Sequence, residues 1–494
     1  MRCKNKKCKM QKVHFFIIGC LFCLNAFCQQ ISGTWEGVLQ VAGNEIPVVF
    51  HITKDSARKL SATFDSPKQK AYNLACGDVI IKEDSVILMM PIIKGRYAGL
   101  LNDDKKKLTG NWHQGPASMP LLMKKTSEAV VIKEVKRPQT PKPPFPYKSE
   151  DVEYDNSDKS VHFGATFTVP LPDPNANYFR APVYPTVLLI TGSGKQDRDE
   201  TIYDHKSFAI IADHLTRQGI AVLRVDDRDM GNTTGNFNIA TSADFAKDVE
   251  AGLNYLKTRQ DVDTGNIGLL GHSEGGMIAP MVASKRADVR FIILLAGPGV
   301  KVSELMEQQA IDVAAASGTP RKSLEKYRPL YRELVKAIVN EADTAKAFSK
   351  GMLVFDDWQK DKSALLVLSL TGVKDEKSKA RFVESFVKQL STPWYNYFLQ
   401  FDPAEYLTKI NCPVLALNGE KDVQVSAKQN LEGIQSALEK AGNKNFKTME
   451  IPGLNHLFQH CKKCSTDEYS ELEESFDPGS LEIISNWIKT GRFK

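Results

Sequence analysis

The sequence predicts a small all-β unit followed by a larger α/β body, with a mostly parallel sheet and a helical insertion. Three observations predict it. Residues 31–125 carry short strand-like runs separated by turn signals such as Ala42-Gly43-Asn44 and Asn102-Asp103-Asp104. From about residue 150, strand and helix patterns alternate, as in βαβ units covered on both faces. Residues 299–410 then show helical patterns alone, before the alternation resumes.

Taken in order, residues 1–28 read as a signal peptide. Six cations and no acid precede a mostly apolar stretch, Val13–Phe27, and polar Gln29-Gln30 follow. Ala26 and Cys28 suit the −3 and −1 positions of a cleavage site. Fifteen residues that include His14 and Asn25 are too few to span a bilayer comfortably. Export to the periplasm or the exterior is therefore expected. Ile17-Ile18-Gly19-Cys20 offers a lipoprotein alternative, but the apolar run continues past Cys20. Of 65 basic residues, six fall in this leader, which leaves 59 against 59 acidic ones. A nucleic-acid partner thus loses its electrostatic support. At 42% apolar and 25% charged residues, the composition suits a soluble globular chain, and no later run is long enough to span a membrane.

In residues 31–125, runs such as Gly33–Val41, Glu45–Thr53, Ser85–Ile92 and Lys107–Trp112 suggest a small barrel or sandwich, with Trp35 plugging its core. Its partner is not legible. Residues 126–150 hold Pro138, Pro141, Pro143, Pro144 and Pro146, which favour extended geometry and mark a linker. The α/β body is expected over 151–298 and 411–494, and a helical cap over 299–410. Val152–Tyr154 and Val161–Val169 open it as a hairpin. Four cysteines remain beyond the leader, so there is no disulfide scaffold. Cys461 and Cys464 are close enough in sequence for a local bridge. Zinc there fits poorly, because ligands crowded into nine residues suit tetrahedral geometry badly. No metal or organic cofactor is expected.

Chemistry concentrates at Gly271-His272-Ser273-Glu274-Gly275. The bare G-x-S-x-G string is weak evidence, but its context is strong. Ile267–Leu270 is a predicted strand and Gly275–Ser284 a predicted helix, the strand–turn–helix that lifts a serine hydroxyl above a sheet. Such a serine needs a base held by a carboxylate, in the chain order Ser, acid, His. Only His456 and His460 follow the serine, and His456 lies just past the last predicted strand. Val414–Leu417 runs into Asn418-Gly419-Glu420-Lys421-Asp422, where Asp422 is the favoured acid and Glu420 the fallback. An oxyanion hole requires two amides: that of Glu274, and one from Ser193 or Gly194 in Thr191-Gly192-Ser193-Gly194. This glycine loop matches neither nucleotide-binding pattern. Gln196-Asp197-Arg198-Asp199-Glu200 follows it beside the expected pocket and reads as a structural ion-pair cluster, with a part in shaping the site as the alternative.

These residues together resemble a bacterial exported α/β-hydrolase group related to the EstD-type esterases. The resemblance covers roughly residues 150–494, through Thr191–Thr201, Gly219–Asn232, Ile267–Pro280, Trp394–Pro413, Val414–Val425 and Leu454–Gln459. It implies an α/β-hydrolase fold with a cap, and hydrolysis of a small carboxylic ester by Ser273, Asp422 and His456. Asp229 departs from the pattern, standing where the family usually has Gly. A serine peptidase or aminopeptidase shares the same triad, so the triad alone does not separate the two. A non-catalytic binding protein is disfavoured by a complete triad in the right order. Trp394, Tyr395, Tyr397 and Phe398 in the insertion are candidates for an acyl pocket or for cap core.

Overall fold

The computed structural model describes residues 31–41, 44–55, 59–69, 71–114, 117–126, 135–175 and 181–490. The leader read over residues 1–28 lies outside them. The chain divides into two units, Met1–Glu134 and Val135–Lys494.

The first unit is one antiparallel sheet. Its strands are β1 (Gly33–Val41), β2 (Asn44–Lys54), β3 (Leu60–Ser66), β4 (Ala71–Ala75), β5 (Val79–Lys82), β6 (Ser85–Met90), β7 (Gly95–Leu101), β8 (Lys107–Gln114) and β9 (Ala117–Thr126). They run in the order β4-β3-β2-β1-β9-β8-β7-β6-β5. Alternation along β6 and β7 buries every second residue, which is the period a one-sided sheet requires. The inward residues form a single core in which Phe50 meets Phe64, Tyr97 and Trp112 at ring distances of 6.1–6.3 Å. Trp35 is fully buried there, and its indole donates to the Ile31 carbonyl at 2.8 Å. One curled sheet around one core makes the unit barrel-like rather than a two-sheet sandwich. No ladder joins β4 to β5 among the described residues. Sequence patterning misses β4 for a physical reason: Asn73 has φ 53° and the pairing with β3 shifts register, so no clean alternation survives.

The second unit opens with the hairpin β10 (Tyr147–Asp155) and β11 (His162–Pro170), followed by β12 (Tyr184–Ile190). β10 starts within the stretch read as linker, because Tyr147–Glu150 pair with β11. The preceding segment is also tied down. Arg137 donates to the carbonyls of Leu472 and Ser470, and Gln139 donates to that of Phe476. Next come the short pair β13 (Thr201–Ile202) and β14 (His205–Lys206), then α1 (Ser207–Arg217), β15 (Ala221–Val225), α2 (Ser242–Leu256), β16 (Val262–His272), α3 (Glu274–Ala283) and β17 (Phe291–Leu295). Helices α4 (Val302–Ala316), α5 (Arg321–Val339), α6 (Thr344–Gln359), α7 (Ala364–Thr371), α8 (Glu376–Leu390), α9 (Pro393–Gln400) and α10 (Ala404–Leu407) form the insertion. Their own core includes the fully buried Leu330, Leu334, Phe355 and Val383. The body ends with β18 (Val414–Gly419), α11 (Ala427–Lys440), β19 (Phe446–Ile451) and α12 (Pro478–Lys489).

The large sheet runs β10-β11-β15-β12-β16-β17-β18-β19, parallel from β15 to β19. Its central strands carry buried apolar runs, Val187–Ile190 in β12 and Ile267–Leu270 in β16, and β17 is five buried residues, Phe291–Leu295. One face packs on α2, α3 and α11, the other on α1 and α12. After β12 the chain crosses to β15 on one side and returns to β16 on the other. The loops after β12 and β16 therefore part around a crevice at the carboxyl ends of neighbouring strands, where ligands of open α/β sheets bind. No helix among the described residues is long and apolar enough to cross a membrane.

Close backbone packing sets the turn between β16 and α3. A Cβ on Gly271 would lie 2.0 Å from the Gly275 carbonyl oxygen, and one on Gly275 would lie 2.1 Å from that of Ile190. Both neighbours are backbone and have no rotamer to give way. Gly271→Ala is therefore expected to lower unfolding stability by at least about 2–3 kcal/mol. Gly265→Ala, whose Cβ would meet Asp263 Oδ1 at an ordinary 3.4 Å, should change it by less than about 0.5 kcal/mol. Urea midpoints of the two variants against wild type test this; equal midpoints for the two would refute it.

Candidate functional site

Ser273 sits on the tight turn between β16 and α3, at φ 53° and ψ −116°. This is a conformation that a β-substituted residue adopts only under constraint. Its amide donates to the Leu295 carbonyl at 2.8 Å, anchoring the turn to the next strand. The hydroxyl faces a cavity of about 360 Å³ whose wall also holds His456, Glu274, Ser193 and His272.

His456 reaches this cavity from the loop after β19. Its Nδ1 donates to Asp422 Oδ2 at 2.8 Å, and the two side chains are 6% and 0% exposed. Asp422 follows β18 and receives further hydrogen bonds from the amides of Gln424 and Val425 and from Asn418 Nδ2. So many donors fix the carboxylate and, through it, the histidine ring with Nε2 free. Glu420 is exposed; it braces the turn by accepting from the Gly453 amide and pairs with Lys421. His460 is also exposed and pairs with Glu474. Ser273, Asp422 and His456 thus come together from three loops, while Glu420, the fallback acid, and His460 stay outside.

The glycine loop after β12 borders the same cavity. The Gly192 amide is already committed to Glu200 Oε1 at 2.7 Å. The amides of Ser193, Gly194 and Glu274 have no acceptor among the described residues, which leaves them free to hold an anion at the start of α3.

Sequence reasoning missed two features here. His272 is buried between Glu200 Oε1, to which Nδ1 donates at 2.9 Å, and the His456 carbonyl, to which Nε2 donates at 3.0 Å. Burial alone would lower its pKa, but the Glu200 charge and both hydrogen bonds outweigh that and raise it. One ion pair therefore braces the glycine loop, the serine turn and the histidine loop together. The other charged residues of the 196–200 cluster are structural, while Gln196 lines the cavity. Arg198 pairs with Asp226 and Asp151, Asp199 with Arg224 and Lys206, and Asp197 caps Thr201.

The second feature is the Glu274 side chain. Its Oε1 accepts from Ser242 Oγ at 2.6 Å and from Trp394 Nε1 at 2.9 Å, and Ser193 also hydrogen-bonds the carboxyl. Burial raises its pKa against these bonds. The cap aromatics divide in use. Trp394 and Phe398, stacked at 4.9 Å, line the cavity, whereas Tyr395 packs on the cap core and Tyr397 against the body core. Asp229 stands at φ 61° and pairs with Lys195. That left-handed position favours glycine and tolerates aspartate, which explains how the departure is accommodated.

Cys461 and Cys464 form a disulfide just past His456. Glu468, which lies close to both sulfurs, already accepts from the amides of Lys462, Lys463 and Cys464. These residues have no free set of donors for a metal.

A mostly parallel eight-stranded sheet, a serine on a strained strand–turn–helix and an inserted helical cap define an α/β-hydrolase. A family model described as "Serine aminopeptidase, S33" matches residues 204–460, just over half of the chain, and the chain belongs to that family. Esterase EstD of Thermotoga maritima is 24% identical over 305 residues, 62% of each chain. The chain thus spans less than two thirds of that curated relative's length. Among solved structures, the Pyrococcus furiosus esterase Pf2001 is similar at 15% identity and TM-score 0.40, over 72% of this chain and 98% of that one. The hypothetical protein PA2218 from Pseudomonas aeruginosa is similar at 14% and 0.42, over 74% and 99%.

Behind the glycine loop, Asp227 Oδ1 accepts from Thr191 Oγ1 and Oδ2 from the Gln196 amide. Burial pushes its pKa up to about 7, and the Glu274 and Glu200 charges add to the rise. A carboxyl raised in this way keeps its proton in the folded state while the unfolded chain has lost it. Its contribution makes the fold less stable as pH rises from about 4 to about 7. Asp227→Asn should therefore flatten the fall of Tm between pH 5 and pH 8. An unchanged slope in thermal melts would show that another group sets it.

Proposed function

We propose that this chain is a serine hydrolase of small carboxylic esters, with Ser273 as nucleophile, His456 as base and Asp422 as its orienting acid. The observation that carries the reading is the buried 2.8 Å pair of Asp422 with His456 Nδ1, on a loop whose histidine shares a cavity with Ser273. In the first step His456 Nε2 takes the Ser273 proton as Oγ attacks the ester carbonyl carbon. The amides of Glu274 and of Ser193 or Gly194 hold the negative oxygen. The imidazolium then protonates the leaving alcohol as the C–O bond breaks. Water attacks the acyl-enzyme by the same route and releases the acid, restoring Ser273 and neutral His456.

Esters are favoured over aminoacyl amides by the state of the acids lining the cavity. A substrate amine needs an available carboxylate, and both Glu200 and Glu274 are already engaged by protein donors. The disulfide supports the reading that the chain is exported, since such bonds persist in oxidising compartments.

A side-by-side panel of acyl esters and aminoacyl amides tests this. Ser273→Ala should lose about 10⁴–10⁶ in rate and Asp422→Asn on the order of 10⁴, both without loss of fold. Activity that persists in Ser273→Ala would remove the nucleophile assignment. Faster turnover of amides than of matched esters would move the reading to a peptidase.

A further inference from the structure

The cavity in front of Ser273 has two kinds of wall. Leu305 and Met306 on α4 and Trp394 and Phe398 on α9 supply an apolar, helical side. The remaining lining residues outside the catalytic loops are mostly neutral and hydrogen-bonding: Gln196, Tyr203, Gln309, Gln424, Thr466 and Tyr469. Several of these are uncommitted. The side chains of Tyr203, Gln309 and Thr466 make no hydrogen bond among the described residues. Gln196 has only a long contact, 3.4 Å, to the Ser193 carbonyl. Gln424 donates to the Tyr469 hydroxyl at 3.0 Å, which holds the two in place while the hydroxyl keeps its own proton to give.

Charge selects among the ligands such a wall suits. No lysine or arginine lines the cavity among the described residues, so beyond the amides that receive the ester's own carbonyl oxygen it offers no cation to a carboxylate or phosphate. The Glu200 and Glu274 carboxyls are filled by protein donors, so nothing attracts an ammonium group either. Amide and hydroxyl side chains both donate and accept, as the hydroxyls of a sugar do, and tyrosine rings offer flat faces to its C–H bonds. At about 360 Å³ the space lies near the low end of the roughly 300–1,000 Å³ of small-molecule sites. One ring and a short acyl chain suit it better than a long lipid.

We infer that the alcohol half of the substrate is a neutral polyhydroxylated ring of monosaccharide size, held by Tyr203, Gln309, Gln424, Thr466 and Tyr469 while a short acyl group meets Trp394 and Phe398. This rests on the esterase reading above and specifies its leaving group.

Three acetates test it with the whole protein. Methyl 6-O-acetyl-glucoside and cyclohexylmethyl acetate are both primary esters on a six-membered ring, and only the first carries hydroxyls. p-Nitrophenyl acetate reports the catalytic machinery independently of that wall. The glucoside ester should exceed the cyclohexylmethyl ester in kcat/KM by about tenfold or more, since each added neutral hydrogen bond is worth roughly 2- to 10-fold. Gln309→Leu and Thr466→Val should each reduce that ratio by about 3- to 10-fold. Turnover of p-nitrophenyl acetate with a glucoside preference below about threefold overturns the sugar-binding wall alone. So does an unchanged ratio in both variants. Failure on all three acetates overturns the wall and the esterase reading together.

Discussion

Between the end of β12 and the start of α3 the backbone presses against itself. The Gly275 Cα lies under the Ile190 carbonyl, and Gly271 faces the Gly275 carbonyl with no room for a methyl group. This crowding lets helix and strands approach closely enough to hold Ser273 at an unfavourable φ and to bring the glycine loop beside it. Relaxing it by even the width of one side chain would lower the serine toward the sheet and part the amides of Glu274 and Ser193. The rest of the site is arranged around a turn whose geometry is set first by backbone contact. Side-chain contacts then refine what the backbone sets.

Two buried acids take up that refinement. Glu200 binds the Gly192 amide and His272, and His272 binds the carbonyl of His456. Glu274 binds Ser242, Trp394 and Ser193. Each acid gathers segments that are far apart in the chain, and each is satisfied by donors, as a charge or dipole in a low-dielectric site must be. The glycine loop is held by both.

What could be read from the chain was local or ordered. Ser273 was legible because its strand, turn and helix are contiguous. Asp422 and His456 were legible because the topology fixes the order in which loops reach the carboxyl edge. The Glu200–His272 pair was not, because its members are 72 residues apart and only the adjacency of β12 and β16 brings them together. Glu274 was chosen for its amide, and nothing in its neighbours along the chain announces a partner 120 residues away in α9. In the β unit the alternation revealed most strands, but Asn73 hid β4 by breaking the period. The start of β10 at Tyr147 lay hidden beneath the prolines that precede it.

The groups that hold His456 belong to the body: Asp422, His272, and the loop fastened by Gln459 to the Glu474 carbonyl and by the Asp477 amide to that of Phe458. Among the described residues, none of these lies in α4–α10. The glycine loop, in contrast, shares Glu274 with Trp394 of α9. The two halves of the site are therefore mechanically unequal. A displacement of the helical insertion would bear on the glycine loop through Glu274, while the Asp422–His456 pair would keep all of its holders. The position of the insertion and the setting of His456 are thus held by separate parts of the fold, linked through the Trp394 indole on Glu274.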